Sequence, residues 1–274
     1  MTDSTMDSST TTATEPDIQP KEAVLGCRDL SKSFGRVTAS DDVSLSIGEG
    51  EWLSLIGPNG AGKTTLLNML SGFYEPDDDE GRIFFDGEDI TNVPAYQRAR
   101  RGMGRTFQSV ELFSGTVLEN LLTIRGITNR PNLLEGVLYY GFGSKIEAEN
   151  QRFAEDILDY LELWEHRTAD VEELPHGLRR RVDLARALAL EPEILLLDEV
   201  MSGLSYDEKY DIVRFLMDLY EDEGLTILTI EHDMEVVTQV SDRLIVMQNG
   251  EVIARGTPDT VTNNPKVAEV YTEV

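Results

Sequence analysis

The stretch Gly57 to Thr65 reads G-P-N-G-A-G-K-T-T and constrains the fold more than any other, because it satisfies the phosphate-binding pattern G-x-x-x-x-G-K-[ST] in full. That pattern requires a strand before it and a helix after it. Trp52-Leu53-Ser54-Leu55-Ile56 has the short apolar run of a buried strand, and Lys63 to Leu70 is expected to continue as a helix. Glycines at 57, 60 and 62 let the backbone curl so that successive N–H groups and the helix N-terminus face one anion, a triphosphate. Gly57, Pro58, Asn59, Gly60, Ala61, Gly62, Lys63, Thr64 and Thr65 therefore form the candidate cradle. Lys63 is expected to reach the β- and γ-phosphates and the Thr64 hydroxyl to hold Mg²⁺. The alternative is a glycine-rich turn that binds nothing.

A second segment, Ile194-Leu195-Leu196-Leu197-Asp198-Glu199, places two carboxylates at the end of an apolar run that reads as a strand buried on both faces. Beside an intact phosphate loop, Asp198 is expected to face the Mg²⁺ shell and Glu199 to act as general base on the attacking water. His232 follows the apolar run Leu225 to Ile230, just past a strand end, where parallel sheets present ligand groups. It reads as a contact to the γ-phosphate, with a surface histidine as the alternative. Phe34 either stacks on a base or fills the core. Gln108, close to the expected end of an apolar strand, is by itself only polar punctuation.

The remaining pattern is α/β. Val24 to Leu30 and Val43 to Ile47 alternate like antiparallel strands, Gly81 to Phe85 reads as another, and Asp86-Gly87 and Asn249-Gly250 are hairpin turns. Val117 to Ile124 and Glu147 to Trp164 are helical in period. An inserted helical sub-domain is expected from Phe113 to Glu173, or to about 190 with the following helix. Asn129 to Gly143, with Pro131, three glycines and the pair Tyr139-Tyr140, reads as a loop, its tyrosines offered to a partner or to local packing. Arg179 to Arg181 oppose the dipole at a helix start, which hints at a use beyond a solvated face. Gly102-x-Gly104 does not begin a helix after a strand and is no dinucleotide fingerprint. Asp207 to Tyr220 reads as an amphipathic helix ended by Gly224, and Thr257-Pro258 caps a final helix.

Composition narrows the class. No stretch approaches the roughly 18 to 20 apolar residues needed to cross a bilayer. Residues 1–22 form an acidic, Ser/Thr/Asp-rich tail expected to be disordered and unlike a secretory signal. Cys27 is the only cysteine, which excludes an internal disulfide. With 24 Lys+Arg against 51 Asp+Glu the net charge is −27, a field that repels nucleic acid. Only six of the basic residues are lysines, a composition expected of a halophilic chain kept soluble in concentrated salt.

Taken together, Arg105-Thr106-Phe107-Gln108 with Leu112-Phe113, the run L-P-H-G-L-R-R-R-V from Leu174, the D-E-V-M-S-G-L segment from Asp198, Ile230-Glu231-His232-Asp233-Met234 and Gly256-Thr257-Pro258 carry a resemblance. From about residue 23 to 274 the chain resembles an ATP-binding cassette (ABC) subunit, and within that family the ATPases of high-affinity branched-chain amino acid importers. The resemblance implies a P-loop NTPase fold with a mixed central sheet, an N-terminal antiparallel β subdomain and an inserted helical subdomain. It also implies ATP and Mg²⁺ as ligands, Phe34 as the adenine-stacking aromatic, Gln108 as a metal-sensing glutamine that couples to a permease, and His232 as the switch histidine. Leu174 to Leu178 matches the signature loop, leaving Gly177 to meet nucleotide across a dimer, and Ser202 to Ser205 the loop crossing that interface.

The implied partners are a second ABC ATPase, identical or different, two transmembrane permease subunits and, indirectly, a substrate-binding protein, at the cytoplasmic face of the membrane. Two departures stand out. Pro175, His176 and Leu178 replace the usual Ser, Gly and Gln of the signature, which implies a weakened contact in trans, Val200 replaces a common Pro, and Ser205 stands where Asp or Asn is common. Transport of urea, amides or other amino acids, or a soluble cassette without a permease, are the alternative functions. If the acidity is an adaptation to salt, the thermal unfolding midpoint should rise from dilute buffer to molar KCl; a lower midpoint in KCl would refute it.

Overall fold

The computed structural model describes residues 22–77, 80–128 and 133–272; the expected tail, residues 1–22, lies outside the described residues except for Glu22. Strands β1 (Leu25–Phe34) and β2 (Val37–Ile47) open the chain, and β3 (Trp52–Ile56) leads through the glycine loop into α1 (Lys63–Leu70). β4 (Arg82–Phe85) and β5 (Glu88–Asp89) flank the Asp86-Gly87 turn, where both residues have positive φ, 49° and 75°, as a tight hairpin requires. Then come α2 (Ala95–Arg100) and β6 (Met103–Arg105). Helices α3 (Val117–Thr128), α4 (Leu133–Tyr160) and α5 (His176–Leu188) intervene before β7 (Ile194–Asp198). The order closes with α6 (Tyr206–Glu223), β8 (Thr226–Ile230), α7 (Met234–Val240), the hairpin β9 (Arg243–Gln248) and β10 (Glu251–Gly256), and the short helices α8 (Pro258–Thr262) and α9 (Pro265–Thr272).

These strands form two sheets. The first is antiparallel throughout, in the order β2-β1-β4-β5; the central one runs β10-β9-β3-β8-β7-β6, parallel except for β10 and so mixed. The α/β architecture is thus the one the sequence implies. Alternation along β7 shows why its run is unbroken: Leu195 and Leu197 enter a core shared with Trp52, Ile227, Phe215 and the helices α3 to α5, while Ile194 and Leu196 enter a core shared with Leu25, Ile47, Leu53 and Leu66. A strand covered on both faces reads as a continuous apolar run rather than an alternation. Parallel β3, β8 and β7 all end on one edge. That edge therefore receives Gly57, Glu231 and Glu199.

Several expectations need correction. Asn129 to Gly143 is not a loop beyond residue 132: α4 begins at Leu133, residues 129–132 lie outside the described residues, and nothing is described of the side chains of Tyr139 and Tyr140. Once a long helix propagates, each further residue adds a hydrogen bond, so a glycine costing about 1 kcal/mol does not stop it. The same helix ends at Tyr160 rather than Trp164, because Glu162 takes a left-handed conformation (φ 56°) and Trp164 falls in a short 3₁₀ turn. The helix capped by Thr257 is not the last; α9 follows it. Arg180 and Arg181 are buried, so their use is internal. Seven non-glycine residues among those described have positive φ: Asp29, Asp42, Asp86, Glu162, Glu191, Glu199 and Asn249. Leu195→Ala and Leu196→Ala open opposite cores, and each should lower the unfolding free energy by about 2–5 kcal/mol in urea titrations; stability equal to the parent's would mean that the face concerned is not packed.

Candidate nucleotide site

The glycine loop has no room for side chains where it needs glycine. A Cβ on Gly57 would collide with the Met247 carbonyl and one on Gly62 with the Ala39 carbonyl, and both residues have positive φ, 144° and 100°. Gly62 is the left-handed residue from which α1 starts, and the hairpin after β9 braces the loop through a Gly250 N–H donated to the Ala61 carbonyl at 3.0 Å. Lys63, only 6% exposed, folds back over the cradle and donates to the carbonyls of Gly57 (2.7 Å) and Pro58 (3.0 Å). Burial lowers its ammonium from the usual value, while Glu199 and Asp198 hold the charge in place.

At the end of β7, Asp198 is 1% exposed and its two oxygens are divided. Thr64 donates to Oδ1 at 3.4 Å, and Arg105 approaches Oδ2 at 3.5 Å. Burial raises the Asp198 carboxyl from its ordinary range, opposed chiefly by Arg105. Glu199 has φ 50°, a strained conformation for a residue with a Cβ, held by its N–H donated to the Ile230 carbonyl at 2.9 Å. The Gln108 amide donates to Glu199 Oε2 at 2.8 Å. Lys63, Thr64, Asp198, Glu199 and Gln108, far apart in sequence, thus form one cluster.

Other candidates are placed elsewhere. Phe34 ends β1 with 48% of its surface exposed and its ring 5.4 Å from Tyr74 in an edge contact. His232 is exposed just past β8. Gly177 opens α5 and packs on the start of α6, where a Cβ would collide with the Glu208 carboxylate; Glu208 is engaged in a capping box with Ser205. The signature loop is therefore seated against the 202–205 loop of its own chain.

Sequence reasoning assigned no role here to Arg105, Asp183 or Glu231, and flagged Arg180 without its partner. Arg105 faces Asp198. Asp183 accepts from the Phe107 N–H at 3.2 Å and Arg180 donates to the Phe107 carbonyl at 2.9 Å, so α5 grips the segment that carries Gln108. Burial pushes the Asp183 carboxyl up to about 6. Glu231, pushed up to about 7 by burial, accepts the Met201 N–H at 3.1 Å and ties the His232 segment to the turn after Glu199. The signals were slight: Arg105 stood in the run Arg105-Thr106-Phe107-Gln108 and Glu231 beside His232, neither with any mark of its partner.

Among the described residues no group of three or more His, Cys, Asp or Glu forms a metal cage. The oxygen donors at the cluster are instead one hydroxyl, one carboxylate and one amide, a set that fits Mg²⁺, which keeps several waters and takes its other ligands from phosphate. In this structure Gln108 reaches Glu199 rather than the Thr64–Asp198 pair. The arrangement can neutralise a triphosphate and present a base beside it.

A profile of the ABC transporter family matches residues 40–202, and one of branched-chain amino acid ATP-binding cassette transporters matches residues 251–272. The chain is 40% identical over 254 residues to the high-affinity branched-chain amino acid transport ATP-binding protein LivG of Salmonella typhimurium, covering 92% of this chain and 98% of that one. It is 37% identical over 249 residues to BraF of Pseudomonas aeruginosa, covering 90% and 97%. Among solved structures it resembles the ADP conformation of MJ1267, an ATP-binding cassette of an ABC transporter, with TM-score 0.78 and 35% identity over 92% of this chain and 99% of that one. On these matches the protein belongs to the ABC transporter family as an ATP-binding, ATP-hydrolysing subunit.

Proposed function

We propose that the protein energises an importer of branched-chain amino acids, and that residues 23–274 form its ATPase domain with a helical sub-domain at about 113–190. The observation that carries the chemical reading is the cluster of Lys63, Thr64, Asp198, Gln108 and Glu199 at one sheet edge. What supports the cargo is the naming of LivG and BraF together with the match at residues 251–272. The ATPase itself need not touch the cargo.

In this reading Lys63 and the loop amides hold the β- and γ-phosphates, and the half-exposed Phe34 ring offers a face to adenine. Thr64 and Asp198, with Gln108, would hold Mg²⁺, which would supply neutralisation of the β- and γ-phosphate charge. Glu199 accepts the proton of the attacking water as the water oxygen bonds to the γ-phosphorus and the bond from that phosphorus to the β,γ-bridging oxygen breaks, so that ADP leaves with that oxygen and phosphate is released; His232 donates to the γ-phosphate oxygens. To do so Glu199 exchanges its Gln108 partner for water, so the segment carrying Gln108 gates the base.

A second cassette, identical or different, closes over the nucleotide with its Gly177 edge. MJ0796, a bacterial ABC transporter cassette 26% identical to this chain, has a dimeric structure. Pro175 and His176 take the place of small hydroxyl and glycine residues there, so the trans contact rests on helix N–H groups and the imidazole. Two permease subunits, served by a substrate-binding protein, seat on the cassettes at the cytoplasmic face of the membrane. A cleft of about 670 Å³ lined by Phe73, Tyr96, Phe107, Phe113 and Arg105, beside the Gln108 loop, would receive an apolar segment of a permease subunit. The net charge of −27 sets nucleic acid aside.

Glu199→Gln should slow phosphate release by about 10²- to 10⁴-fold while retaining ATP-bound dimers on size-exclusion chromatography; normal turnover would remove Glu199 as the base. Membranes solubilised with ATP and that variant should yield two multi-spanning permeases. Recovery of ribosomal proteins alone would end the transport reading and leave the ATPase intact.

A further inference from the structure

Arg105 is a cation held inside the molecule, its side chain 7% exposed, between two aromatic faces. Its guanidinium carbon lies 5.1 Å from the Phe73 ring centroid and 4.9 Å from that of Phe107, and the two rings meet edge to face at 5.4 Å. The nitrogens reach α1 and β7 together: Nη2 donates to Asn68 Oδ1 at 2.7 Å, Nη1 donates to the Ser71 hydroxyl, and Nη2 lies 3.5 Å from Asp198 Oδ2. At 3.5 Å the last contact is chiefly electrostatic, and its strength comes from the dry surroundings.

Two further observations give the arrangement direction. Asp198 turns its other oxygen, Oδ1, to Thr64. Phe107, one wall of the sandwich, has its N–H and carbonyl gripped by Asp183 and Arg180 of α5, and it precedes Gln108. Both Phe107 and Arg105 also line the apolar cleft. The guanidinium is thus bounded by the helix that opens with Lys63 and Thr64, by the carboxylate of β7, and by the segment that gates Glu199.

We propose that Arg105 is a positioning residue for the metal-ligating carboxylate: it holds Oδ2 of Asp198 so that Oδ1 stays turned to Thr64, and its seat between Phe73 and Phe107 ties that orientation to the Gln108 segment and the cleft beside it. This rests on the ATP·Mg²⁺ reading above. An ion-ligating side chain whose outer partner is removed loses its fixed orientation, typically at a cost of about 10- to 100-fold in metal affinity. Lysine at the same place keeps a charge near Asp198 but cannot reach Asn68, Ser71 and Asp198 together.

The test uses the full chain and trinitrophenyl-ATP, whose fluorescence reports binding without turnover. Affinity is measured in EDTA and then as Mg²⁺ is titrated in. Arg105→Gln should leave metal-free affinity unchanged and raise the Mg²⁺ concentration giving half of the affinity gain by about tenfold or more, with Arg105→Lys in between. Phe107→Leu, which keeps the charge and removes one face, should shift the Mg²⁺ midpoint in the same direction by less, and it carries the test alone if Arg105→Gln does not fold. An unshifted Mg²⁺ midpoint in these variants, or an equal loss of affinity with and without metal, overturns the proposal and leaves Arg105 a structural residue. If the parent chain itself binds the nucleotide with no response to Mg²⁺, the ATP·Mg²⁺ reading falls, and this proposal with it.

Discussion

Burying a cation without a partner is among the costliest things a fold can do, and the nucleotide edge of this molecule is organised around avoiding it. Lys63 is met by two loop carbonyls and by the charges of Asp198 and Glu199; Asp198 faces Arg105 in turn; Arg105 rests on two aromatic rings and on Asn68 and Ser71 at the end of the helix that Lys63 begins. The compensation closes on itself. Its cost is met on folding, so an arriving triphosphate finds oriented donors rather than a site it must first assemble.

The same logic separates the inside of the molecule from its surface. Arg98 lies fully inside and donates to the carbonyls of Val93, Met69, Leu70 and Thr91, closing the C-terminal end of α1. Arg180 and Arg181 are likewise buried, the first on Phe107 and the second on Asp211 and Glu162. A planar guanidinium serves several fixed acceptors where an ammonium cannot, which suits a chain with eighteen arginines and six lysines. With these cations turned inward, the surface is more acidic than the composition alone implies.

Legibility followed the range of the determining contact. The strand Trp52–Ile56, the glycine loop, α1 and the strand Ile194–Asp198 were readable because each is dictated by its own residues: apolar runs for strands covered on both faces, glycines where a Cβ would strike a carbonyl. The pair Asp198 and Glu199 was readable through its position after such a run. Arg105, Asp183 and Glu231 were not, because their meaning lies in partners 76 to 93 residues away for the first two and 30 for the third, and a lone charged residue carries no mark of its partner. The start of α4 was hidden for a different reason. Local glycine and proline signals there compete with propagation from the strongly periodic half of the helix.

The left-handed backbone positions carry one more consequence. Among the described residues, six of the seven non-glycine residues with positive φ are Asp or Glu and the seventh is Asn, at turns, element ends and strand irregularities where glycine would be free of strain. Negative charge has therefore been accepted even where the backbone disfavours a side chain, and two of these residues, Glu162 and Glu191, repay it locally through Arg181 and Arg125. Seen as an inheritance, the turns hold a reserve of stability that the chain has not drawn on. Lineages or designers moving it into dilute surroundings have in Asp29, Asp42 and Asp86 places where one glycine both relaxes the backbone and removes a charge.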